Sequence, residues 1–125
     1  MKIELVSISV NDPIAAHKFY TEKLGFVSKV YMPEIQLAIV VAPDDQDGVQ
    51  ALLEPRGGFG SKEFFDTVYN AGVPVIIFST KDIQKDCETL KAKGVQFRGE
   101  PKKDENGTSV LFDDTCGNLI QLHLA

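Results

Sequence analysis

Gln121 and His123 stand two residues apart near the end of the chain, in "LIQLHLA", and Glu54 closes an earlier run, "VQALLEP". Strand side chains repeat every two residues, so Gln121 and His123 share a face, as do Gln50, Leu52 and Glu54. Carboxylate, amide and imidazole are donor types that bind a divalent ion. They are equally the groups that hydrogen-bond a small polar ligand in a pocket. His123, close to a strand end, reads first as a surface residue. Cys116, in "DTCGN", follows Asp113 and Asp114, whose negative charge disfavours a thiolate nucleophile. Cys87 falls on the apolar stripe of a helix and reads as a structural thiol. His17, between Ala16 and Lys18, reads as a solvent-side helix residue without a role.

Composition narrows the function classes. The chain has 125 residues, 43% hydrophobic and 25% charged, which is one globular unit by length with enough apolar residues for a core. Its formal charge of −5 argues against nucleic acid, whose binding rests on Lys and Arg neutralising phosphates. No apolar run reaches the roughly 18 residues that a membrane helix needs. The opening "MKIELVSISV" alternates and has no cleavage pattern, so it is not read as a signal peptide. Two cysteines are too few for a disulfide framework, and a cytoplasmic protein with reduced thiols is expected.

The elements that must position these groups come in two copies. "KIELVSISV" alternates as a half-buried strand, with Val6, Ile8 and Val10 on one face and Leu5, Ser7 and Ser9 on the other. Asp12 caps a helix that Pro13 opens, Ala16, Phe19, Tyr20 and Leu24 form its apolar stripe, and Gly25 ends it. Three strand-like runs follow, "FVSKVYM", "IQLAIVVA" and "VQALLE". The order then repeats: strand "VPVIIFST", a helix capped by Thr80 or Asp82 and closed by Gly94, then "VQFRGE", "TSVLFD" and "LIQLHLA". The offset is about 70 residues, setting Asp12 against Asp82 and Gly25 against Gly94. Asn106-Gly107 suits a hairpin whose two central residues take positive φ. "SKEFFDTVYNAG" predicts a connecting helix capped by Ser61, with Phe64, Phe65 and Val68 on its apolar face. The expected organisation is α+β: two β-α-β-β-β modules, about 1–56 and 73–125, joined by a loop and helix over about 57–72.

The spacing Asp12-Pro13…Phe19-Tyr20…Leu24-Gly25-Phe26, with "FDDTCGNLIQL" (Phe112 to Leu122) at the far end, resembles the vicinal oxygen chelate superfamily. This is the glyoxalase, bleomycin resistance protein and extradiol dioxygenase group. The resemblance covers essentially the whole chain. It implies two curled mixed sheets around a cup in a single domain, 1–125, with many members dimeric. It also implies that catalytic members hold one divalent metal through four side chains, from the first and last strands of each module.

Carried over, those positions fall on Leu5 and Val75, which have no donor atom, on Gln121, and on a fourth-strand position for which Glu54 is preferred. An active glyoxalase I is therefore not expected. The implied cup is lined by Leu5, Ser7, Ser9, Leu52, Glu54, Val75, Ile77, Gln121 and His123, with Tyr31, Phe59 and Tyr69 as candidates for an aromatic rim. The reading is a small-molecule-binding protein with a degenerate metal site, sequestering a drug or metabolite, without a cofactor and as a homodimer. Neither nucleic acid nor membrane is expected as a partner. The alternative is a divalent-metal-dependent lyase, isomerase or dioxygenase in which Glu54 and Gln121 hold a weakly bound ion.

Overall fold

In the computed structural model, which describes residues 1–57 and 59–125, the alternating first run becomes strand β1 (Leu5–Val10). Ile8 and Val10 are buried, while Leu5 and Ser7 are exposed. Asp12 accepts the Ile14 N–H at 2.9 Å and Pro13 fills the first turn, so α1 (Pro13–Lys18) starts where the cap predicts. The helix then widens into a π turn over Phe19–Lys23, where the Leu24 N–H donates to the Phe19 carbonyl at 3.3 Å. Gly25, at φ +77°, turns the chain back.

The chain divides into two units, Met1–Phe64 and Phe65–Ala125. In the first, β1 is joined by β2 (Val27–Met32), β3 (Leu37–Val41) and β4 (Gln50–Pro55). Their order is β1-β4-β3-β2, with β1 and β4 parallel and the other pairs antiparallel. A bulge between Ser28 and Val30 shifts the register of the β2 edge. α1 lies on β3 and β4, and the side chains between them (Ile8, Val10, Ala16, Tyr20, Val40 and Leu53) form the core.

His17 is not on the solvent side. Its ring stacks on Tyr31, centroids 3.9 Å apart, and is 2.8 Å from the Ser28 hydroxyl. Position 17 therefore looks along the helix flank onto the outer strand β2. Spacing along the helix could not reveal this, because the bulged strand is what brings Tyr31 and Ser28 beneath it.

α2 (Ser61–Asn70) carries the division between the units. Its Ser61 hydroxyl donates to the Gly57 carbonyl rather than accepting a helix N–H, and Phe64 is exposed instead of joining an apolar face. The second unit holds β5 (Ile76–Ser79), α3 (Ile83–Ala92), β6 (Gln96–Phe97), β7 (Lys102–Asp104), β8 (Gly107–Asp113) and β9 (Leu119–Leu124). Its sheet runs β5-β9-β8-β6, with β7 also paired to β8 and only β5–β9 parallel. Asp82 caps α3 through the Lys85 N–H at 3.1 Å, and Gly94 at φ +88° lies just past its end. Ile83, Cys87, Val95, Val110, Phe112, Ile120 and Leu122 are the buried face. Burial pushes the Cys87 thiol up, in keeping with a packing role.

Two local expectations change. "VQFRGE" is not one strand: Gly99 (φ +99°) interrupts it, so β6 is short and β7 forms beyond Pro101. At the following turn only Gly107 has positive φ, +126°. Asp104 pairs with Gly107, so Glu105 and Asn106 are the turn residues, and Asp104 accepts the Asn106 N–H at 2.8 Å. Among the described residues no helix is long and apolar enough to cross a membrane.

Candidate functional site

In each unit the helix covers one face of the sheet, and the residues expected to line a pocket stand on the other. In the first unit Leu5 pairs with Gln50, Ser7 with Leu52 and Ser9 with Glu54. Leu5, Ser7, Ser9, Leu52 and Glu54 therefore share a face, to which β3 adds Ile39 opposite Leu52. The register also resolves which fourth-strand residue stands beside Leu5: it is Gln50. Glu54 lies four residues further along, about 13 Å at the usual strand rise.

Arg56, which sequence spacing did not single out, occupies the end of this face. Its Nε donates to Ser9 Oγ at 3.3 Å, Nη2 to the Ser9 carbonyl at 3.2 Å, and Nη1 to Asn11 Oδ1 at 3.3 Å. The Ser9 hydroxyl is thus already engaged. A cleft of about 360 Å³ opens at the other end of the strands, between Lys2, Glu4, Asp45, Asp47 and Gln50. It lies before the strand face, and of the expected lining residues it includes none.

In the second unit Ile77 pairs with Gln121, and Ser79 with His123, across β5 and β9. β8 continues both rows, with Leu111 opposite Gln121 and Ser109 opposite His123. Val75 precedes β5, but its N–H donates to the Leu119 carbonyl at 3.0 Å, which extends the same pairing. Ile77 is 59% exposed, a large apolar side chain left open on this face. His123 Nε2 lies 2.9 Å from the Asn106 carbonyl. A carbonyl only accepts, so Nε2 carries the hydrogen and Nδ1 alone remains for any ligand.

Of the three aromatic candidates for a rim, Tyr31 is on the helix side under His17, and Phe59 is fully exposed. Tyr69 is different. From α2 its hydroxyl donates to Asp113 Oδ2 at 2.5 Å and accepts from Arg98 Nη2 at 2.9 Å. Arg98 lies over the Tyr69 ring, 5.4 Å from its centroid, and 3.5 Å from Asp113. Asp113 Oδ1 accepts the Thr115 N–H at 2.7 Å. The hydrogen bond to Asp113, followed by burial, holds the Tyr69 phenol above its ordinary value, so it stays protonated at neutral pH. No spacing signal links positions 69, 98 and 113, which come from a helix, the extension of β6 and β8.

The "DTCGN" turn is structural. Asp114 is wholly buried and accepts from the Cys116 N–H (2.8 Å), the Asn118 N–H (2.9 Å) and Asn118 Nδ2 (3.0 Å). Cys116 is itself buried, which agrees with its not being a nucleophile. Thr115 and Gly117 take φ of +58° and +96° to close the turn into β9.

The chelating positions fit a metal poorly. Leu5 and Val75 carry no donor atom, and Gln50, not Glu54, is the fourth-strand residue beside Leu5. Among the described residues no three His, Cys, Asp or Glu side chains gather as an ion would require.

A family model, Glyoxalase/Bleomycin resistance protein/Dioxygenase superfamily, matches residues 2–122. YurT, an uncharacterized protein of Bacillus subtilis (strain 168), is 48% identical over 124 residues, covering 98% of each chain. Among solved structures, UcmS2 superposes with a TM-score of 0.81 at 28% identity, covering 98% of this chain and 97% of its own. TnmS3, an antibiotic binding protein from Streptomyces sp. CB03234, gives 0.77 at 25% identity, covering 99% and 95%. The chain belongs to the glyoxalase/bleomycin resistance protein/dioxygenase superfamily, and has its fold.

Proposed function

We propose that the protein binds a small molecule without a metal, sequestering a drug or metabolite rather than transforming it. The observation that carries this reading is the pair Leu5 and Val75. Each puts a methyl-bearing side chain where a chelating site would need a donor, and no rotamer supplies one. The antibiotic binding of the similar TnmS3 supports it. In this reading Leu5, Ser7, Ser9, Leu52 and Glu54 are the ligand face of the first unit, and Val75, Ile77, Gln121 and His123 that of the second. The module boundaries near 56 and 73 belong to the same proposal. So does a homodimer, because β1, β2 and β5 are edge strands of their own sheets and edges seek partners. A cytoplasmic setting belongs to the proposal as well, and the free, buried thiols of Cys87 and Cys116 are compatible with it.

One observation favours the second reading, a lyase, isomerase or dioxygenase on a reduced ligand set. Among the described residues neither Glu54 nor Gln121 is engaged by another side chain, so both donors are uncommitted. Calorimetric titration of the apo-protein with Ni²⁺ and Zn²⁺ separates the two. Binding weaker than micromolar, unchanged in Glu54→Gln and Gln121→Leu, is expected. Stoichiometric binding of about −8 kcal/mol or stronger, lost in both variants, overturns the metal-free reading. Light scattering at roughly ten micromolar protein tests the dimer, an interface of micromolar or tighter affinity being populated at that concentration. A strict monomer refutes it.

A further inference from the structure

Four residues stand in one row across the open face of the second unit. Ile77 on β5 pairs with Gln121 on β9, and Gln121 with Leu111 on β8. Leu111 in turn accepts the Arg98 N–H through its carbonyl at 2.8 Å. At the usual separation of neighbouring strands the row spans about 14 Å. It reads apolar, amide, apolar, cation, and its two ends differ in kind.

The cationic end is held from below. The Tyr69 hydroxyl accepts from Arg98 Nη2, Asp113 lies 3.5 Å from the same nitrogen, and the guanidinium lies over the Tyr69 ring. Arg98 Nε and Nη1 have no partner among the described residues, and the side chain is 49% exposed. Asp113 is mostly covered, at 15% exposure, and both of its oxygens are taken, one by Tyr69 and one by the Thr115 N–H. Its charge therefore offsets that of Arg98 while both of its oxygens help hold the cluster. What remains for a ligand is a fixed, planar fork, because Nη2 keeps a second hydrogen and that hydrogen lies beside those of Nη1. That fork matches a carboxylate in two-point contact, and a point charge such as lysine does not reproduce it. A cationic ligand finds the opposite, since the acidic group is the shielded one.

We propose that this row is the ligand-selecting element of the second unit, and that it takes a planar aromatic carboxylic acid. Arg98 binds the carboxylate, Leu111 and Ile77 carry the ring system, and Gln121 hydrogen-bonds a polar substituent. The inference rests on the small-molecule reading above and names the class of molecule. Tyr69 and Asp113 are positioning residues: they fix the plane of the guanidinium and do not touch the ligand.

The test uses 2-naphthoate and its uncharged isostere 2-naphthamide, titrated calorimetrically into the full-length protein and its variants. Wild type is expected to bind naphthoate at least tenfold more tightly than naphthamide. Arg98→Met, which keeps an apolar stem at an exposed position, should bring the two affinities together with naphthamide binding unchanged. Arg98→Lys should retain only part of the preference, and Tyr69→Phe should reduce it several-fold by loosening the fork. Equal affinities in wild type, a preference that survives Arg98→Met, or no saturable naphthoate binding up to millimolar concentration overturns the proposal. Naphthamide binding without a carboxylate preference would sink this inference alone and leave the small-molecule reading standing. Absence of binding by both probes removes the aromatic class, and the metal titration then decides the broader reading independently.

Discussion

The imidazole of His17 lies flat on the phenol ring of Tyr31, with centroids 3.9 Å apart and planes 11° from parallel. This stack fastens α1 to the edge strand β2, and the Ser28 hydroxyl adds a polar contact 2.8 Å from Nε2. Truncation by His17→Ala should destabilise the protein by about 1 kcal/mol, the usual worth of a paired aromatic beyond its buried area. Chemical denaturation of the two proteins checks this. A change below about 0.3 kcal/mol, within the range of an ordinary surface substitution, would contradict it.

The same residue makes stability depend on pH. Partial burial holds the His17 pKa below its ordinary 6.5. The unfolded chain then binds the proton more readily than the native one, so stability is greatest above pH 6.5 and declines as pH falls toward the native pKa. Subtracting the denaturation free energy of His17→Phe, which keeps a stacked ring but cannot titrate, should isolate that decline between about pH 7 and 5. Parallel curves for the two proteins would refute it.

Asp114→Asn should cost about 2 kcal/mol or more. The aspartate is fully buried and its carboxylate accepts three hydrogen bonds at 2.8 to 3.0 Å. An amide substitutes a donor for one of those acceptors, facing another donor in a site without water access. Urea denaturation is the measurement, with an unchanged midpoint counting against a structural role for the turn.

Gly107→Ala tests the turn before β8. Its φ of +126° is one that L-residues avoid, and a Cβ there would come within 2.3 Å of the Leu124 carbonyl. Backbone strain of this kind costs about 1 to 3 kcal/mol. The melting temperature should fall, and the His123–Asn106 contact should loosen with it. NMR exchange of the β8 amides would report the second effect.

Phe19→Ala empties a site that is 7% exposed beside the buried Tyr20. A loss of about 3 to 5 kcal/mol is expected on denaturant unfolding, as for other buried aromatics. Less than about 1 kcal/mol would mean that the π turn collapses to refill the space.

The doubled architecture was legible because its punctuation is local. Asp12 and Asp82 cap helices through N–H groups two or three residues away, and Gly25 and Gly94 end them at positive φ. Alternation in "LVSISV" placed Leu5, Ser7 and Ser9 on one face, and the register added Leu52 and Glu54 to it. What stayed hidden depends on contacts between distant segments. The widening of α1 into a π turn, the bulge that brings Ser28 and Tyr31 under His17, and the closure of Tyr69, Arg98 and Asp113 are set by packing. None leaves a fixed spacing to read. The turn before β8 differs from the expected one for a smaller reason: "ENG" admits two pairs of central residues, and pairing of Asp104 with Gly107 selects the earlier one.

In both sheets the last strand in sequence is an inner one: β4 lies between β1 and β3, and β9 between β5 and β8. A ribosome delivers these strands in order, so β1 waits for residues 50–55 before its parallel neighbour exists, and β5 waits for residues 119–124. The first sheet can close while the second is still being translated. The second cannot close until β9 has cleared the exit tunnel, and through that interval β5 and β8 each lack the strand that lies between them. A nascent chain with β4 outside the exit tunnel and β9 still within it would therefore present one finished sheet and one open one, which is the stage at which a chaperone has most to hold.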